Sequence, residues 1–324
     1  MSFLRRLGID TYMLLLIGMV ILGVIVPAQG FAAATLKQVT YWAVSLLFLL
    51  YGLKLDPSSV RAGFLNWRLQ GLTLIATYAM FPLLGLGFAQ VFGPVLGAQV
   101  TLGVLFLAVL PSTVQSSIAF TSIAGGNVPG AICAASASNL IGVALTPALV
   151  AVMLQTGGGE VRLDAVLRIG TQILLPFILG QVLRPWLGAL IARHRQLTLY
   201  VDRGSILLIV YAAFSAGTRT GLWDTVPVPR LAALFGVIAI FLAVSMGLMV
   251  AAGRAFRLPY PDRAALFYCG STKSIATGIP IASALFPAAE VGAIVLPAMM
   301  YHITQLLICA FVSQRARRRA EAAE

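Results

Sequence analysis

Ten apolar stretches, at residues 11–27, 40–55, 71–92, 100–124, 129–153, 165–190, 203–218, 231–252, 263–286 and 290–313, take up most of this 324-residue chain. A helix crosses a hydrocarbon core about 30 Å thick with about 20 apolar residues. The chain therefore has room for about ten such helices and little else. Its composition agrees: 10% of residues are charged, the mean hydropathy is +0.95, and a soluble domain carries about 25% charge. Between the stretches lie short polar or Gly/Pro segments such as "LDPSSVRAGFLNWR", "QTGGGEVRLD", "TRTGLWDTVPVPR" and "FRLPYPDR", which read as loops. The seventh stretch is the least regular, because Asp202 and Arg203 stand at its start. The expected fold class is an all-α membrane protein with ten transmembrane helices.

Charge gives the orientation. With the N terminus in the cytoplasm, sixteen of the 22 Lys and Arg fall on the cytoplasmic side and five on the other, as the positive-inside rule requires. Both termini are then cytoplasmic, in the inner membrane for a bacterial chain. The basic tail "QRARRRAEAAE" anchors that topology at anionic headgroups. The net charge of +12 is scattered over loops and tails, so it points to the bilayer and not to nucleic acid. One cation, Lys273, belongs to neither side, and none of the ten acids lies at its depth. Cys133, Cys269 and Cys309 sit in apolar tracts without metal spacing. No HExxH, no GxSxG and no paired intramembrane carboxylates occur, so the chain does not read as an enzyme.

The two halves repeat. "TYMLLLIGMVILGVIVP" from Thr11 is similar to "TQILLPFILGQVLRP" from Thr171, which argues against the first run being a removable signal. "SLLFLLY" from Ser45 answers "SILLIVY" from Ser205, and "STVQSSIA" from Ser112 answers "STKSIA" from Ser271, in the same order and at offsets of about 157 to 162 residues. Residues 1–160 and 161–324 are thus expected to be two five-helix repeats. An odd number of crossings inverts the second relative to the first, the arrangement of many secondary transporters.

The fourth and ninth stretches carry the chemistry. "TLGVLFLAVLPSTVQSSIAFTSIAGG" holds Pro111 and a polar run in its middle, and the ninth repeats the plan with Gly270 followed by "STKS". Proline removes a backbone donor, and Ser and Thr side chains compete for backbone bonds, so both helices are expected to break. Unwound backbone at that depth must be buried in protein or line a cavity.

"YGLKLDP" at 51–57 and "LPSTVQSSIAFTSIAGGNVPGAICAASASNLIGVALTP" at 110–147 resemble signatures of the bile acid:sodium symporter family, in its branch of bacterial and eukaryotic members distant from the bile acid carriers. The resemblance covers nearly the whole chain. It implies ten helices in two inverted repeats, a panel domain and a core domain drawn from both, and helices four and nine broken and crossing at the substrate site. It also implies secondary transport of a small or amphipathic organic anion, such as a bile-salt-like steroid or a keto acid. Relatives connected with calcium homeostasis keep a second reading open, a regulatory or sensor protein on a transporter scaffold.

The polar runs of the two breaks offer Ser112, Thr113, Gln115, Ser116, Ser117, Ser271, Thr272, Lys273 and Ser274 to the substrate and ion site, the resemblance adds Thr77, Ser136, Asn139 and Tyr268, and His302 is a further candidate mid-way along the tenth stretch. Sodium would be held at Ser116, Ser117 and Thr272. The pattern departs from the sodium carriers where they have an acid, here Tyr268, where they have glutamine, here Thr272, and where they have asparagine, here Lys273. Ala131 and Ala135 replace hydroxyls on the fifth helix. The coupling ion is then sodium, a proton, or none. Lys273 either takes the electrostatic place of a sodium ion, exchanges a proton, pairs with an anionic substrate, or only caps carbonyls. His302 and Gln305, three residues apart on one helical face, are a packing pair or part of a proton relay.

Overall fold

The structure is a computed structural model that describes residues 11–54, 66–156 and 169–321. Arg5, Arg6, Arg61, Arg162 and Arg168, on which the charge count partly rests, lie outside the described residues, as does the 160/161 junction between the repeats. Among the described residues every regular element is a helix.

In chain order these are α1 (Thr11–Ile25), α2 (Gly30–Lys54), α3 (Trp67–Leu96), α4 (Ala98–Ala108), α5 (Gln115–Ile123), α6 (Val128–Thr156), α7 (Leu175–Arg193), α8 (Arg195–Arg219), α9 (Leu222–Thr225), α10 (Val228–Ala255), α11 (Tyr260–Ser271), α12 (Ile275–Leu285) and α13 (Ala288–Glu321). A π-helical turn, Ala76–Met80, interrupts α3, and another, Ile169–Leu174, leads into α7. Seven helices among the described residues are long and apolar enough to cross a membrane. The chain is a multi-pass membrane protein.

The apolar stretch expected at 40–55 understates its helix. Gly30, at φ 52°, turns the chain after Pro27, and α2 runs from there, so Lys37 is a helical residue. The stretches at 100–124 and 263–286 each split in two, α4/α5 around residues 109–114 and α11/α12 around 272–274.

The helices pack in two groups. In the first, α2 lies along α7, and α1 and α2 lie against α8. Lipid is as apolar as leucine, so close backbone packing must hold such pairs. Gly52 and Gly180 provide it: a Cβ on Gly52 would stand 2.3 Å from the Phe177 carbonyl, and one on Gly180 2.3 Å from that of Leu49. In the second group, α4 packs on α3 and α13, and α10 packs on α3 and α11. One end of this group is tied by Asp262, whose carboxylate accepts from Asn66 Nδ2 at 2.8 Å and Asn127 Nδ2 at 2.6 Å. The starts of α3, α6 and α11 are thereby joined. The two groups meet where α8 runs beside α12 and α13.

Candidate functional site

The two breaks are held by each other. In the first, Val109 and Leu110 close a tightened last turn on Phe106 and Leu107. The amide that could next reach the Ala108 carbonyl in that tightened pattern belongs to Pro111, which has none. The amide after it, Ser112 N–H, donates instead to Ser138 Oγ at 3.0 Å. Ala108 is left with an open carbonyl. In α3 the π turn does the same for Thr77: Phe81 N–H donates to Ala76 O, and residue 82, next in the i to i+5 pattern, is a proline. Two prolines therefore leave two buried carbonyls without a helical donor.

Lys273 fills them. Its Nζ donates to Thr77 O at 3.1 Å, to Ala108 O at 3.1 Å and to Leu110 O at 2.7 Å. A protonated lysine has three donors, and three acceptor carbonyls face this one. The Phe81 ring covers the same nitrogen at 4.0 Å from its centroid, a cation–π contact. The side chain is 2% exposed. Its partners among the described residues are carbonyl dipoles and a π face, with no carboxylate.

The second break is held in the same manner by side chains of other helices. Lys273 N–H donates to Gln305 Oε1 at 2.8 Å, and Gln305 Nε2 donates back to Lys273 O at 2.9 Å. Tyr301 Oη donates to Ser271 O at 2.6 Å, and Ser112 Oγ to Cys269 O at 2.6 Å. Ser274 N–H donates to Pro111 O at 2.8 Å and joins the breaks directly. Asn139 spans both: Nδ2 donates to Ser112 O at 2.8 Å, while Oδ1 accepts from Thr277 Oγ1 at 2.9 Å.

A cavity of about 1040 Å³ begins at this crossing. Of the residues expected at the site, Thr113, Gln115, Ser116, Ser136, Asn139, Ser274 and His302 line it. Thr77, Ser112, Ser117, Tyr268, Ser271, Thr272 and Lys273 are buried and do not. Lys273 thus belongs to the frame behind the cavity, not to its wall. The wall farther from the crossing carries residues that the sequence reading did not place there, among them Tyr12, Tyr51, Lys54, Arg184, Asp202 and Arg203. Lys54 pairs with Asp202 at 3.0 Å, and Tyr51 Oη lies 3.3 Å from Asp202 Oδ1 and 3.2 Å from the Ala276 carbonyl. The Arg203 guanidinium stands 4.9 Å from the centroid of the Tyr12 ring. The signals were "YGLK" and the charged pair at the head of the seventh stretch.

The hydroxyls named for sodium do come together. Thr113 Oγ1 lies 2.7 Å from Ser117 Oγ and 2.8 Å from Thr272 Oγ1, and accepts from Ser116 Oγ at 2.9 Å. Thr272 Oγ1 donates to Tyr268 O at 2.7 Å. This is a neutral set whose oxygens hydrogen-bond one another, and it contains no carboxylate to offset dehydration of a hard cation. The carbonyls of Thr77, Ala108 and Leu110 are occupied by Lys273 Nζ. The donors do not fit a sodium ion.

The sequence model of the SBF-like CPA transporter family matches residues 10–318. An uncharacterized protein of Pseudomonas aeruginosa is 46% identical over 97% of this chain and 95% of its own. "Putative symporter YfeH" of Escherichia coli is 40% identical, covering 97% and 94%. "Sodium/bile acid cotransporter 7" of Rattus norvegicus is 24% identical, covering 87% and 85%.

Proposed function

The chain belongs to the SBF-like CPA transporter family, within the bile acid:sodium symporter group, and from that premise we propose that it carries a small or amphipathic organic anion across the membrane by alternating access, without sodium. In this reading the helices make ten crossings as two inverted repeats. The group α1, α2, α7 and α8 is the panel, and the remaining helices form the core that moves against it.

One observation carries the proposal: the ammonium of Lys273 seated on the carbonyls of Thr77, Ala108 and Leu110. A sodium-coupled carrier needs an ion to organise the oxygens of its unwound helices. Here the Lys273 amine stands on those oxygens as part of the chain, and the crossing is assembled before any ion arrives. Preassembly favours binding, because less order is lost when the substrate enters.

The cavity suits an anion with an apolar body. Its wall is largely apolar, with Lys54, Arg184 and Arg203 toward one end of the bundle and the hydroxyls of Thr113 and Ser116 at the other limit. Past the crossing the groups close on each other: a Cβ on Gly292 of α13 would stand 3.4 Å from the Ala213 carbonyl of α8. With the positive-inside orientation, the open end faces the cytoplasm, so this conformation is the inward-facing one of the cycle.

Counterflow tests the proposal. Proteoliposomes in sodium-free choline medium, loaded with unlabelled taurocholate or pyruvate, are expected to accumulate the same labelled anion for at least one of the two. Absence of exchange with both, from protein shown to be folded, contradicts the carrier reading.

A further inference from the structure

Among the titratable groups that line the cavity, the carrier reading gives His302 no role. His302 lies one turn before Gln305 on α13, and Gln305 Nε2 stands 2.9 Å from His302 Nδ1. The orientation of the amide is fixed by its other neighbours. Its Oε1 must face the Lys273 N–H, which only donates, and its Nε2 must face the Lys273 carbonyl, which only accepts. The second hydrogen of Nε2 is then directed at the imidazole. Nδ1 has to be the acceptor, so the arrangement holds only for a neutral ring with its hydrogen on Nε2.

We infer that His302 is a proton-binding site, and that a proton taken from the cavity onto Nδ1 releases Gln305 from the peptide groups of Lys273. A proton there sets N–H against N–H. The glutamine cannot flip to accommodate it, because flipping turns Nε2 toward the Lys273 N–H and Oε1 toward its carbonyl. Flipping would lose both bonds to the break, and in the unflipped amide the clash is relieved by drawing Gln305 away from the peptide groups of Lys273. The site binds a proton supplied by the cavity solvent, gains one positive charge, and returns the proton when the original geometry re-forms. Resting on the carrier reading, this makes the proton the ion whose binding changes the rigidity of the crossing.

Of the elements packed against α13, α4, α5 and α12 carry no charged residue, α9 carries Asp224, and α10 carries Arg230 and Arg254 near its two ends. From α8 the charged residues lining the cavity are Asp202 and Arg203. Lys54 and Arg184 line its far wall. Lys273 is reached through Gln305 and is held on its three carbonyls. A charge on His302 is thus added to a mainly cationic cavity, where a substrate anion would favour it.

Hydrogen exchange of the full chain in nanodiscs tests this without any substrate. A peptic fragment containing Lys273 is followed from pH 8 to pH 5.5, with rates corrected for intrinsic chemical exchange. Protection at the Lys273 amide is expected to fall about tenfold between pH 8 and pH 5.5. In His302→Gln, whose own carbonyl accepts from Gln305 without titrating, the protection is expected to be flat; His302→Asn serves as the second such variant. Wild-type protection that does not change with pH, or the same fall in the variants, would overturn the inference. Failure of counterflow alone leaves this result intact, so the two readings fail separately.

Discussion

Lys273→Met is expected to cut transport sharply and to lower the thermal midpoint of the purified protein. Methionine matches the length of the lysine side chain and suits an apolar setting, so the substitution isolates the ammonium. It leaves the carbonyls of Thr77, Ala108 and Leu110 without their shared donor in a site that water does not reach. Each buried group left unsatisfied costs about 1–3 kcal/mol, and a whole protein has only about 5–15 kcal/mol to lose. The break in α4 and the π turn in α3 lose their common tie, and the hydroxyls that follow Pro111 lose their fixed positions at the cavity wall. A drop in counterflow of at least about a hundredfold is expected, in line with loss of a buried network. An unchanged midpoint together with unchanged exchange would remove Lys273 from the account.

The second large effect is structural. Gly52→Val sets a branched side chain where even a Cβ would stand 2.3 Å from the Phe177 carbonyl and 3.0 Å from the Gly180 Cα. The atoms in the way are backbone, so no rotamer change relieves the contact. Overpacking by a methylene or two costs about 1–3 kcal/mol when side chains can shift; here α2 and α7 must separate along their length. Gln181 Nε2, which donates to Gly52 O at 2.5 Å, is pulled from its acceptor as they do. Detergent extraction followed by size exclusion is expected to recover no monodisperse variant protein. Recovery of a sharp peak with wild-type stability would show that the α2–α7 contact is not as close as described.

How much of this was legible in the sequence differs between the frame and the site. The apolar stretches marked every long helix, because hydrocarbon imposes a length that residue composition alone reveals. Pro111 and the "STKS" that follows Gly270 marked the two breaks for an equally local reason, the loss of backbone donors and the competition from hydroxyls. The direction of Lys273 was not legible. Sequence placed a lysine at the crossing and left its role open among an ion's place, proton exchange, a substrate partner and a cap on carbonyls. The choice depends on Pro82, 191 residues away, which frees the Thr77 carbonyl only because the preceding turn is π-helical. That conformation has no local signature in "ATYAM".

The far wall of the cavity was hidden for a similar reason. Lys54 and Asp202 each sit at or near a helix end and read singly as topology charges, yet folding brings them 3.0 Å apart beside the substrate space. Arg184 and Arg203 were counted toward orientation, and they also line the cavity. The pairing of His302 with Gln305 was visible as helical spacing. Its meaning came from the peptide of Lys273, which fixes the glutamine amide and with it the imidazole tautomer.

Central to the account is the claim that Lys273 does the work of a sodium ion. It is tested most directly by thermal unfolding of the detergent-purified wild-type chain, titrated with sodium chloride against choline chloride at constant ionic strength. A ligand that binds the folded state raises the midpoint with its concentration. The account predicts identical midpoints in the two salts at every concentration. A saturable rise specific to sodium would contradict it.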